Sequence, residues 1–185
     1  MAELTVGNPE DFHCDVGPII DERSRNMLLE YISECSNNGY QVFSHNQAPD
    51  GNFVSPTLIE LNSIDDINEE KFGPILHVIK YKTDELDQIL NALKNKQYGL
   101  TMGVHSRIES KADDIINKSI AGNTYINRDI VGAVVGSQPF GGTGLSGTGF
   151  KAGGPNYLLQ FVDERSITKN TVAFGGNAEI LNLED

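Results

Sequence analysis

Between Ile75 and Asn127 the chain alternates apolar runs with amphipathic stretches, and that order leaves few architectures open. Ile75 to Tyr81 is an apolar run suited to a buried strand. Thr83 can cap the next helix, with Asp84 and Glu85 in its electropositive first turn. Leu86, Ile89, Leu90 and Leu93 make the buried stripe of that helix, and Gly99 falls just past its end. Leu100 to His105 reads as a second strand. Ser106 and Glu109 have the spacing of a capping box ahead of Ala112, Ile115 and Ile116. Gly122 stops this second helix, and Asn123 to Asn127 reads as a third strand. Strand, helix, strand, helix, strand at this spacing predicts an α/β fold with a βαβαβ parallel sheet and right-handed crossovers.

Upstream the signals are shorter. Gly7-Asn8-Pro9 and Gly17-Pro18 mark turns. Asp21 is a good N-cap, Met27, Leu28, Tyr31, Ile32 and Cys35 follow at helical spacing, and Asn37-Asn38-Gly39 ends that helix. Tyr40 to Ser44 and Phe53-Val54 running into Pro56 read as extended pieces, with Asn46 to Asn52 a hairpin-like loop between them.

Downstream, nine of the nineteen glycines fall between Gly132 and Gly154, too densely for a regular element. Gly142-Thr143-Gly144-Leu145-Ser146-Gly147 matches the G-x-G-x-x-G dinucleotide fingerprint, and Glu164 lies at about the expected distance beyond it. The match is rejected, because the fingerprint needs a strand before it and a helix after it. Here Gln138-Pro139-Phe140 precedes it, and the Gly- and Pro-containing run to Pro155 cannot open a helix. Tyr157 to Val162 then alternates like a strand.

Charge and composition exclude several classes. Of 185 residues, 14 are Lys or Arg and 26 are Asp or Glu, a formal charge of -12. Such a surface repels nucleic acid and anionic membranes. No apolar run approaches the roughly 20 residues of a membrane helix. The first residues, Met1 to Val6, carry neither a basic nor an apolar signal region. Cys14 and Cys35 cannot build a disulfide framework, so a reduced cytoplasmic setting is expected. Cys35 lies on an apolar helix stripe, and Cys14 reads as an unreactive thiol. His13, His45, His77 and His105 are isolated, with no second ligand at metal spacing, so no metal site is expected.

Glu69-Glu70-Lys71-Phe72-Gly73-Pro74 stands just before the first strand of the predicted sheet. A carboxylate there can take a bidentate bond from a ribose diol, and a Phe can flank a planar ring. Taken alone, the segment reads more readily as a solvated acidic turn. Two further segments make it specific. Glu70 to Pro74 resembles the E-x-F-G-P motif of the aldehyde dehydrogenase superfamily. Asn123-Thr124-Tyr125-Ile126-Asn127 resembles the strand after its last crossover helix. Gln138-Pro139-Phe140-Gly141-Gly142, with Ser146-Gly147, is similar to its P-F-G-G-x-x-x-S-G loop. Arg128 to Gly136 and Lys151 to Pro155 look most like glutamate-semialdehyde (pyrroline-5-carboxylate) dehydrogenases, in particular the C-terminal half of the bifunctional proline utilization A family.

The resemblance implies a partial, incomplete aldehyde dehydrogenase catalytic domain over residues 1–155. An oligomerisation-flap strand over 156–174 and a frayed tail over 175–185 would follow. Glu70 and Phe72 would contribute part of an NAD site, at the nicotinamide ribose. Gly132 and Ala133 would anchor the semialdehyde's carboxylate through main-chain N–H groups, with Gly132 expected at positive φ, and Phe140 would pack on its aliphatic carbons. No segment resembles the family's catalytic-Cys motif or its NAD domain, and Met1 resembles an internal methionine. The expectation is therefore a C-terminal fragment or split subunit that is inactive alone and works with a partner chain carrying the nucleophile, in an oligomeric parent enzyme. A non-catalytic remnant or assembly module is the alternative.

Overall fold

The computed structural model describes residues 3–44, 48–134 and 136–170. They group into two compact units. One is formed by residues up to Tyr98 together with Ile108–Ile120, the other by Gly99–Arg107 together with the residues from Ala121 onward.

The first unit opens on helix α1, Glu22–Asn37. As expected, Asp21 caps it, its carboxylate accepting the Ser24 N–H at 2.7 Å, and Gly39 turns the chain away at φ +85°. Strand β1 (Gln41–Ser44) runs antiparallel to β2 (Thr57–Leu61), which runs parallel to β3 (Ile75–Ile79). The central strand β2 is the one the sequence reading passes over, since it ends the extended segment at Pro56. Five residues with Leu58 between Thr57 and Ile59 blur the two-residue period. In the fold, Thr57, Ile59 and Leu61 are all buried, and Ile59 has no exposed surface. Cys35 of α1 joins Ile59 and Leu61 at the centre of the core, with Tyr31, Ile32, Val42 and Ile75 packed around them.

This strand changes the expected sheet. The α/β class holds, but β3 takes β2 as its parallel partner, while β5 (Thr101–Val104) and β6 (Asn123–Ile126) form a parallel pair of their own. The α/β class with parallel pairing is thus present as partial sheets among the described residues, and β2, buried along one whole face, is the strand on which β3 docks.

The two helices between these strands start later than their capping signals. A 3-10 turn at Thr83–Glu85 leads into α2, Leu86–Lys96, and the Glu85 carboxylate rather than Thr83 accepts a backbone N–H, that of Lys82 at 2.8 Å. Helix α3 begins at Glu109 and ends at Lys118, so Glu109 is its first residue and Ile108, not Ser106, stands at its N-cap. Ser106 instead exchanges two bonds with the Asn127 side-chain amide, each of 2.9 Å. Lys118 ties α3 to α2 through Asp87 at 2.7 Å, and bonds Asp114 of its own helix at 2.9 Å.

In the second unit, Gly103 lies opposite Tyr125 in the β5–β6 register, and Tyr125 is buried. Besides these, the two-residue strands β4 (Tyr98–Gly99) and β7 (Thr143–Gly144) are present. The strand expected from the alternation of Tyr157 to Val162 is a 3-10 turn, Tyr157–Phe161. Its backbone closes on itself, with Tyr157 N–H to Gly154 O and Leu159 N–H to Asn156 O both at 3.1 Å. Tyr157 and Phe161 meet edge-on, 5.4 Å between ring centres. Local bonds of this kind prevail where no strand pairs with the segment, and among the described residues none does. The tail over 175–185, the last part of the flap range, His45 and the start of the 46–52 loop lie outside the described residues.

Candidate functional site

The turn from Glu69 to Pro74 is held from three sides. A Cβ on Gly73 would press into the Leu28 side chain, so the turn lies close against α1. The Pro74 carbonyl accepts the Thr57 N–H at 2.9 Å, and the Gly73 carbonyl accepts the Ile75 N–H at 2.8 Å, which joins the turn to β2 and β3. Lys71 folds inward: its side chain is 19% exposed, pairs with Glu69, and sits 4.3 Å over the Tyr31 ring. Tyr31 in turn bonds His77 of β3, 2.8 Å from Oη to Nε2.

These contacts sort the two adjacent carboxylates. Lys71 engages Glu69 and lowers its pKa. Glu70 is exposed and makes no hydrogen bond or ion pair among the described residues. Phe72 beside it is 84% exposed, a large cost for an aromatic unless something covers it. Both line a groove of about 630 Å³, whose other walls include Ile19, Ile20, Met27 and Leu28. A free carboxylate, an uncovered ring and an apolar groove fit a ribose and the planar ring attached to it.

Gly132, Ala133 and Phe140 lie in the second unit. Gly132 has φ +77°, as expected, and the Tyr125 hydroxyl donates to its carbonyl at 2.9 Å. The N–H groups of Gly132 and Ala133 make no hydrogen bond among the described residues, and Ala133 is exposed. Phe140 is half-buried and bridges Ala152 through paired backbone bonds of 3.1 and 3.0 Å. Asn123 fixes the intervening loop, donating to Pro139 O at 2.9 Å and accepting the Gly141 N–H at 3.1 Å.

The loop itself is built on missing side chains. A Cβ on Gly142 would strike the Ser146 backbone, one on Gly147 the Gly142 carbonyl, and one on Gly122 the Gly141 carbonyl. Ser146 N–H closes a turn on Thr143 O at 3.1 Å, and no α-helix follows among the described residues, so the G-x-G-x-x-G match is a turn-forming loop. Lys151 donates to the Gly122 carbonyl. Asn123, Tyr125, Lys71, Tyr31 and His77 are given no role in the site by the sequence reading. His77 carries a signal, since it is the one polar residue in the run Ile75 to Ile79.

The remaining reactive groups take no part. The Cys14 thiol donates to the carbonyls of Gly7 at 3.1 Å and Val16 at 3.3 Å, and Cys35 is buried in the core. Among the described residues, no three His, Cys, Asp or Glu side chains converge on a metal position, and no helix is long and apolar enough to cross a membrane.

The chain has extensive likeness to known proteins. The pattern of the aldehyde dehydrogenase family matches residues 1–167. Bifunctional protein PutA of Klebsiella aerogenes is 44% identical over 173 residues, which cover 89% of this chain and 13% of that protein. The 1-pyrroline-5-carboxylate dehydrogenase of Bacillus subtilis is 35% identical over 172 residues, 90% of this chain and 32% of that enzyme. A crystal structure of bifunctional proline utilization A superposes with a TM-score of 0.84 at 46% identity, covering 94% of this chain and 18% of the other. The 1-pyrroline-5-carboxylate dehydrogenase from Thermus with bound NAD gives 0.76 at 36% identity, covering 88% and 32%. The chain thus spans about an eighth of the PutA relatives and about a third of the single-function enzymes. On the family match and these identities, the chain belongs to the aldehyde dehydrogenase family.

Proposed function

We propose that the chain is the C-terminal part of an NAD-dependent glutamate-semialdehyde (pyrroline-5-carboxylate) dehydrogenase, acting in the oxidation of the semialdehyde to glutamate during proline catabolism. The observation that carries this is the pairing of a free Glu70 carboxylate with an uncovered Phe72 on one groove, in a chain 44% identical to PutA.

Each residue has a defined task. NAD, when bound, supplies the hydride acceptor. Glu70 takes the hydroxyls of its nicotinamide ribose, a bidentate and charge-assisted contact. Phe72 packs beside that ribose or ring. The unbonded N–H groups of Gly132 and Ala133 suit a carboxylate, because small residues let a backbone nest come close to an anion. Phe140 supplies apolar area for the aliphatic carbons without competing for the polar end. Neither thiol is placed as a nucleophile, so the reading calls for a partner chain or segment with the catalytic Cys and the NAD domain, in the cytoplasm, in an oligomer to which the 156–174 segment contributes.

The test is made in an enzyme reconstituted with such a partner. Gly132→Val is expected to raise KM for glutamate semialdehyde about 10- to 150-fold, the loss of one charge-assisted hydrogen bond. Acetaldehyde, which has no carboxylate, should change little. Since a Cβ at Gly132 meets nothing within 4 Å, the effect comes from its φ of +77° and not from a clash. Equal losses for both aldehydes would make the loop structural and leave the substrate an unspecified aldehyde.

A further inference from the structure

The groove turn is coupled to a pair of half-buried rings. Tyr31 reaches His77 Nε2 at 2.8 Å, their rings meet edge-on with centres 5.8 Å apart, and the Lys71 ammonium lies 4.3 Å over the same Tyr31 ring. Lys71 also holds Glu69. From His77 to Glu69 there is thus an unbroken line of contacts, and Glu70 and Phe72 flank Lys71 in sequence.

We infer that His77 is a positioning residue for the ribose clamp: the neutral ring, through Tyr31 and Lys71, holds the turn that presents Glu70 and Phe72, and a proton on His77 loosens it. The inference rests on the clamp reading of Glu70. The charged and titratable groups around the pair are Lys71 and Glu69 of the turn, Cys35 of α1, and Tyr40 and Asp66, which act on Tyr31. Burial first, and the Lys71 charge second, hold His77 below its ordinary 6.5. Burial, then the Cys35 thiol, holds the Tyr31 phenol above its ordinary range, so it stays protonated. With Nε2 unprotonated the neutral ring accepts the Tyr31 hydroxyl; a protonated His77 can only donate to it, and it sets a second cation near Lys71. That repulsion weakens the hold of Lys71 on Tyr31 and on the turn. Unfolded chain binds the proton more readily, so stability from the neutral ring is complete above pH 6.5 and falls as pH drops below it.

The experiment follows the backbone amide signals of Lys71, Phe72 and Gly73 by NMR across mildly acidic pH, in the full chain. They should shift together with a midpoint below 6.5. In His77→Gln, which keeps a neutral acceptor for Tyr31, the shift should vanish. In Tyr31→Phe it should persist with its midpoint raised by about half a unit to one unit, the loss of one neutral hydrogen bond. Signals that do not titrate, that titrate unchanged in His77→Gln, or whose midpoint ignores Tyr31→Phe overturn the inference. In the reconstituted enzyme, KM for NAD should rise about 3- to 10-fold on acidification through that midpoint, and His77→Gln should flatten the profile. A turn that titrates with His77, beside an NAD KM indifferent to Glu70→Gln, overturns the clamp reading and not the coupling.

Discussion

The two units of this chain are held together in opposite ways. In the first, large side chains meet around β2: Ile59, Leu61 and Cys35 at the centre, with Val42 and Ile75 from the neighbouring strands. In the second, the segment from Gly122 to Gly154 is held by the absence of side chains. Gly122, Gly142 and Gly147 sit where any Cβ would enter a backbone carbonyl, and the bonds are those of Asn123, Tyr125 and Lys151 to main-chain atoms. Burial rewards volume and tolerates exchange of one apolar residue for another. Backbone packing rewards geometry and tolerates almost nothing at the contact. The candidate functional residues follow the same division: side chains, Glu70 and Phe72, in the first unit, and main-chain N–H groups at Gly132 and Ala133 in the second.

The sharpest way to break this contrast is at Ile59. Truncation to Ala leaves a cavity at a position with no exposure and should cost about 2–5 kcal/mol, while Ile59→Val costs much less. Urea midpoints of both variants would check it; equal and small losses would mean that β2 is not the core. Gly147→Ala comes next. It adds one carbon against the Gly142 carbonyl and should cost about 1–3 kcal/mol, with loss of hydrogen-exchange protection in the second unit while β1–β3 keep theirs. A silent Gly147→Ala would show that the loop yields to an added side chain, and the contrast between the two units would fall.

The smallest effect is expected at the α1 cap. Asp21→Ala removes the bond to Ser24 N–H and should destabilise less than either change above. The Ser24 bonds hold the Asp21 carboxyl below its ordinary 3.8. Its contribution is therefore complete above that value and lost as pH falls through the lower folded one. Native chain and Asp21→Ala should differ at neutral pH and converge in acid. A difference that persisted in strong acid would assign the effect to helix propensity and not to the charge.

The same division explains what the sequence makes legible. The cap at Asp21 and the stop at Gly39 are local, since their hydrogen bonds lie within a turn, and both are readable. So is the third strand from Asn123. Strand β2 is not, because Leu58 hides its alternation and its burial is decided by α1 and β3, distant in sequence. Tyr157 to Phe161 alternates like a strand, yet strandedness depends on a pairing partner that no local pattern contains. Glu70, Phe72, Gly132, Ala133 and Phe140 are found through motif resemblance. The groups that set their geometry, Asn123, Tyr125, Lys71 and His77, act through tertiary contacts and need the structure.

On the proposed reading, Glu70 and Phe72 hold the nicotinamide ribose, Gly132, Ala133 and Phe140 line the substrate, and the nucleophile comes from elsewhere. The most direct test of this claim is NADH formation from glutamate semialdehyde, with the chain alone and with a partner that supplies the NAD domain and the catalytic Cys. The expected result is no turnover by the chain alone, and turnover on mixing that Gly132→Val suppresses. Turnover by the chain alone that disappears in Cys14→Ala would contradict the claim, because a Cys14 thiol bonded to the Gly7 and Val16 carbonyls would then have to be the nucleophile.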